Sequence, residues 1–215
     1  MAVRSEGTQR FGKDQGEEKA ISVDPAGGQF VVQAGTPYAE LTRLGGGYSV
    51  IATSALVGLV IRPSTVAQIT LWNGEDSDGK SYVIDRLFTH NLVSTSVLSF
   101  YAIWATVHPA GMAQPSADIP GSAVNLVGNS GKRYNGNAVV DVGATVVDNG
   151  WFPWTNSTEV TTAGALPGSH LVAEVAGRLI VPPSGGISLT VVCSLTSTIT
   201  FTSGLSWYEV QLDLR

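Results

Sequence analysis

The sequence predicts an all-β protein: a two-sheet β-sandwich of jelly-roll type with an extended N-terminal arm. Three observations carry this expectation. From Val66 to His108 the residues are β-branched and aromatic at the density of strands, in the runs VAQITLWN, YVIDRLFTHNL and VLSFYAIWATVH. The C-terminal third repeats the pattern in HLVAEVAGRLIVPP, ISLTVVCSLTSTITFTSG and LSWYEVQLDL, each bounded by turn residues. Only 13% of the 215 residues are charged, 43% are hydrophobic and 25 are Gly, the composition of strands joined by many turns. No stretch of about 11 residues shows helical spacing, although AELTRL suits one turn of helix.

In chain order, residues 1–20 form the arm. Eight of the charged side chains fall within 1–19, four of each sign, and Val3 and Phe11 are the sizeable apolar groups there. Such a segment cannot bury itself and suits either a disordered tail or an arm that orders on a neighbouring subunit. Residues 21–215 are expected to form one sandwich domain, since a sandwich of this length need not divide. DPAGGQFVVQAGT and GGGYSVIATSALVGLVIRP supply its first strands. Val97–His108 is apolar on both alternating faces, which points to a strand covered on two sides, in an inner sheet or at a subunit contact. Long loops are expected around 109–121, where PAGMAQPSADIPG breaks the pattern, and around 149–169. The final strand sets Tyr208, Val210, Leu212 and Leu214 on a packing face, and Trp207, Glu209, Gln211 and Asp213 on a face free to meet solvent or a partner. About eight to ten strand runs in all fit a jelly roll.

One motif points elsewhere. Gly74-Glu75-Asp76-Ser77-Asp78-Gly79-Lys80-Ser81 satisfies the phosphate-loop pattern G-x-x-x-x-G-K-[ST]. That loop needs backbone N–H groups around the phosphates and a helix after the lysine. Here Glu75, Asp76 and Asp78 would repel a polyphosphate, and strand composition follows Lys80, so the stretch reads as a hairpin turn. A calcium loop is weaker still, because Gly74 stands at the first ligand position and no Glu closes the loop.

Catalytic and cofactor readings have little support, and none is expected. His90, His108 and His170 show no H-x-x-x-H spacing, no G-x-S-x-G accompanies them, and Asp85 and Asp141 are isolated acids. The single Cys193 alternates with Ile187, Leu189 and Val191, as a buried thiol does. A net charge of −5 argues against general nucleic-acid binding. The opening residues lack a signal-peptide core and no run of about 18 apolar residues occurs, so cytosolic synthesis without a membrane span is expected.

The run LWNGEDSDGKSYVIDRLF, the ending LIVPPSGGISLTVVCSL…SWYEVQL and the opening MAVRSEGTQRFGKD together resemble virion structural proteins of tailed bacteriophages. The resemblance covers about two thirds of the chain, through short motifs. It implies a capsid decoration or cement protein, a homotrimer bound to the major capsid protein on the virion surface and made in the host cytoplasm. The interface residues expected on that reading are Phe11, Tyr101, Ile103, Trp151, Phe152 and Trp154, because a cluster such as Trp151-Phe152-Pro153-Trp154 is costly to leave in water. The alternative is a carbohydrate- or receptor-binding module of a head fibre or tail, with Trp151, Phe152 and Trp154 as stacking platforms.

Overall fold

The computed structural model describes residues 37–93, 99–115, 123–128, 134, 136–155, 159–160, 169–194 and 199–212. The expected arm, Phe11 with it, and much of both expected loop regions lie outside these residues. By its contacts the chain divides into Met1–Glu40 and Leu41–Arg215. Of the first unit only 37–40 are described, as the start of a short helix, α1 (Pro37–Arg43). Pro37 opens α1, where its missing N–H costs nothing. Gly45, at φ +82°, ends it: its N–H reaches the Thr42 carbonyl and that of Gly46 the Leu41 carbonyl, capping the last turn.

The second unit is all β. Its strands are β1 (Gly47–Ile51), β2 (Leu56–Val57), β3 (Ile69–Asn73), β4 (Ser81–Val93), β5 (Phe100–His108), β6 (Val124–Asn125), β7 (Ala138–Val142), β8 (Phe152–Pro153), β9 (Glu159–Val160), β10 (His170–Val181), β11 (Gly186–Cys193) and β12 (Thr200–Val210). One sheet runs β10-β4-β12-β1-β6, with β2 on the end of β12; the other runs β7-β3-β11-β5-β8, with β9 also on β5. Every pairing between these strands is antiparallel.

The pairing is nested. The first long strand pairs the last (β1 with β12), the second the next to last (β3 with β11), and the third the one before (β4 with β10). The middle strand, β5, takes the short β8 and β9. Four antiparallel ribbons wound in this order make a jelly roll, as the sequence predicts. The remaining strands, β6 and β7, come from the connection after β5 and extend the two sheets beyond β1 and β3.

Alternation explains the core. Ile69, Leu71, Tyr101, Ile103, Ile187, Leu189 and Val191 from one sheet meet Tyr82, Ile84, Leu87, Phe201, Leu205 and Trp207 from the other, all fully or almost fully buried. The outward face of β5 is covered by the same chain. Trp151, Val146 and Ala67 form a second cluster that takes in Trp104, Met112 and Ala144. From Tyr101 to Thr106 both faces of this strand are thus covered by the same chain, whereas Phe100 is 51% and Val107 38% exposed. The final strand departs from expectation: Trp207 faces the core, and Glu209 is buried beside it.

Candidate functional site

The stretch 74–80 is not a hairpin turn, because β3 and β4 lie in different sheets and the chain crosses between them here. Asn73 organises the crossing. Its amide donates to the carbonyls of Lys80 (2.9 Å) and Val181 (3.1 Å), while its Oδ1 accepts the Glu75 N–H (3.0 Å). Gly74 is packed so closely that a Cβ would stand 2.2 Å from the Asn137 carbonyl oxygen. Thirteen residues of strand follow, not a helix. Lys80 turns to the buried Glu209, with Nζ 3.2 Å from Oε2, and Tyr134 donates its hydroxyl to Oε1 at 2.7 Å. The lysine of the phosphate-loop pattern is thus the counter-ion of a buried carboxylate. Lys80→Ala should lower stability by about 1 kcal/mol in urea denaturation, a small value because the lysine side chain is half exposed. Saturable ATP binding that vanishes in this variant would overturn the assignment.

The histidines separate. His108 is 2% exposed, and burial holds its pKa below the usual imidazole range. Asn149 Nδ2 donates to its Nδ1 (2.7 Å), so the ring proton sits on Nε2 and is donated to Ser188 Oγ (2.8 Å). This is the reverse of the polarity with which a histidine activates a serine, and Ser188 itself has no exposed surface. Ser188 and Thr70 share a further hydroxyl bond of 2.8 Å, so the group is a satisfied polar ladder under the second cluster. Burial likewise pushes the Cys193 thiol up to about 12, far from the thiolate a nucleophile needs. His90 and His170 instead meet directly across β4 and β10. Among the described residues no three His, Cys, Asp or Glu side chains converge to hold a metal, and no helix is long and apolar enough to cross a membrane.

The interface candidates fall into two groups. Tyr101 and Ile103 are at 0% exposure in the main core, and Trp151 is at 5%, with Nε1 donating to the Ser64 carbonyl (2.8 Å). In the folded chain these three have almost no surface to offer a partner. Phe152 and Trp154 are partly exposed, their ring centroids 5.4 Å apart. They border an open groove of about 570 Å³ whose other wall is β10, including Val172, Glu174 and Arg178. A bulge shapes that wall: between Glu174 and Leu179 the register with β4 slips, and Ala176 (φ +49°) and Gly177 (φ +79°) are both left-handed. The bulge lays Arg178 over the Trp154 ring at 5.5 Å, with its guanidinium fixed on the carbonyls of Val175 and Glu174.

Sequence reasoning passed over an exposed apolar group. Ile61 and Val147 are each 70% exposed, and Val57, Val60 and Val66 lie between 44% and 49%. The two segments are tied together, since Val66 bridges Thr145, the Val146 N–H donates to the Thr65 carbonyl, and Arg62 pairs with Asp148 at 2.8 Å. The signal was the run ALVGLVIRP, which is aliphatic without alternation. It reads as strand, whereas most of it is an irregular connection between β2 and β3 with no second layer over it among the described residues.

No family model matches the chain, and no curated protein matches it. Solved structures show faint likeness. A protein of the full Israeli acute paralysis virus particle is 10% identical at a TM-score of 0.23, covering 98% of this chain and 86% of that one. A Mud Crab Dicistrovirus chain is 11% identical at 0.21 (100% and 91% covered), and one from the full Deformed Wing Virus particle is 15% identical at 0.18 (98% and 95%). At such values it is the strand pairing that defines the fold.

Proposed function

We propose that this chain is a non-enzymatic structural protein of a virion, one that decorates or cements a bacteriophage capsid as a homotrimer. The observation that carries the reading is the exposed aliphatic group around Ile61 and Val147 on a closed jelly roll. Apolar surface gathered in one place marks a contact with another protein. The occupant we assign is a second copy of the chain, and a ring of three closes without leaving an unpaired face. The sequence resemblance to phage virion proteins supports the setting. In that setting residues 1–20 reach the major capsid protein on the particle surface, and the chain is made in host cytoplasm. Phe152 and Trp154 remain candidates for the rim of a contact. They serve a glycan poorly, because Trp154 packs on the core and carries Arg178 over its ring.

Sedimentation tests the proposal. The wild type should associate at micromolar concentration, and Ile61→Asp with Val147→Asp should weaken association at least about tenfold while the far-UV dichroism of the folded monomer is unchanged, since both side chains are exposed in the single chain. A wild type that sediments as a monomer at that concentration, and that leaves capsids equally heat-labile with and without it, would overturn the proposal.

A further inference from the structure

We propose that His90 and His170 together bind one divalent transition-metal ion on the outward face of the sheet containing β4 and β10. The two histidines stand at directly opposed register positions, and their rings lie face to face, with centroids 4.0 Å apart and planes within 7°. A tetrahedral ion with metal–nitrogen bonds of about 2.0–2.1 Å needs its two nitrogens roughly 3.3–3.4 Å apart. Parallel rings hold their nitrogen lone pairs side by side, so each imidazole must turn by about 55° for both to meet a tetrahedral ion, a side-chain rotation that breaks the stack and leaves the strands in register. The β4–β10 ladder fixes the spacing of the two Cβ atoms beforehand, so the ion has only the two side-chain conformations to order.

The surroundings suit this chemistry. Both residues are accessible, His170 exposed and His90 partly so. One step along the face, Phe88 opposes Val172 and lies over Gly204; across the row, His90 opposes the neutral Thr202. Among the described residues, Arg86 and Glu174 lie two rows away along this face and pair with each other at 3.0 Å, and Asp85 lies 3.7 Å from Arg86, so these charges are engaged with one another. Imidazole pairs favour Zn²⁺, Ni²⁺ and Cu²⁺ over Mg²⁺ or Ca²⁺. Two protein ligands leave the remaining coordination positions to water, and the ion would join the end of β10 to β4. The chain has one other imidazole and one thiol, His108 and Cys193, each only 2% exposed.

The test is titration of the untagged full chain with Ni²⁺ and with Zn²⁺ by calorimetry, with the histidine resonances followed by NMR. At pH 7.5 one ion should bind per chain and shift the ring signals of His90 and His170. Affinity should fall about tenfold or more in His90→Asn and in His170→Asn. Absence of saturable binding up to about 1 mM, a weak limit for any specific site, overturns the proposal. So does binding that shifts only His108, or that survives unchanged in both variants. The wild-type NMR titration decides the matter even if a variant fails to fold.

Discussion

Replacing Trp207 with Ala is expected to cost about 3–5 kcal/mol, the largest loss from any single truncation in this chain. Trp207 has no exposed surface and lies among Tyr48, Tyr82 and Tyr134, with ring centroids 5.7, 6.2 and 5.9 Å away. Truncation opens a cavity that the neighbours cannot fill, because Tyr134 is tied by its hydroxyl both to Glu209 and to the Ala138 N–H. It also loosens the ring that shields the Glu209 carboxylate, whose partner Lys80 reaches it from a half-exposed position. Against a total stability of about 5–15 kcal/mol, the variant should be largely unfolded or melt far below the wild type. Urea denaturation followed by fluorescence and far-UV dichroism measures this. A loss under about 1 kcal/mol would show that the aromatic nest is not part of the cooperative core.

Trp151→Ala is expected to destabilise the monomer by about 3 kcal/mol, at the low end for a tryptophan because its cluster is small and lies outside the main core. The variant removes the lid over the outward face of β5 and leaves the Ser64 carbonyl without its indole donor. Trp154→Ala, from a half-buried site, should cost about 1 kcal/mol. A distinct outcome is decisive: if Trp151→Ala leaves the melting temperature unchanged yet abolishes association, the second cluster is a subunit contact and not an internal layer.

The two variants also mark how much was legible in advance. Alternation in Ile187–Cys193 and the double apolar face of Phe100–His108 are visible as residue patterns, and with them the all-β sandwich. What covers the second face is not visible, because Met112, Val146 and Trp151 arrive from connections whose path no local period encodes. The inversion at the last strand has a similar cause. Trp207 alternates with Glu209, and a carboxylate marks a face as wet unless its partners are known. Lys80 and Tyr134, which keep Glu209 buried, are 129 and 75 residues away. The same holds for His90 and His170, isolated in sequence and stacked in space only through a register the sequence does not display. The phosphate-loop pattern misleads in the opposite sense: its glycines answer to close packing at a crossing between sheets.

The bulge in β10 bears on how the molecule stays discrete. Of the strands at the margins of the two sheets, β6, β7, β8 and β9 have two to five residues, whereas β10 has twelve and offers its outer edge along that length. A long open margin is a template on which another chain can add as a strand, and such growth has no natural end. With four residues from Val175 to Arg178 thrown out of register, two of them left-handed, the edge cannot present an unbroken row of N–H and C=O groups. A second copy is thereby refused the ladder along β10, and any contact made at this margin has to be made by side chains.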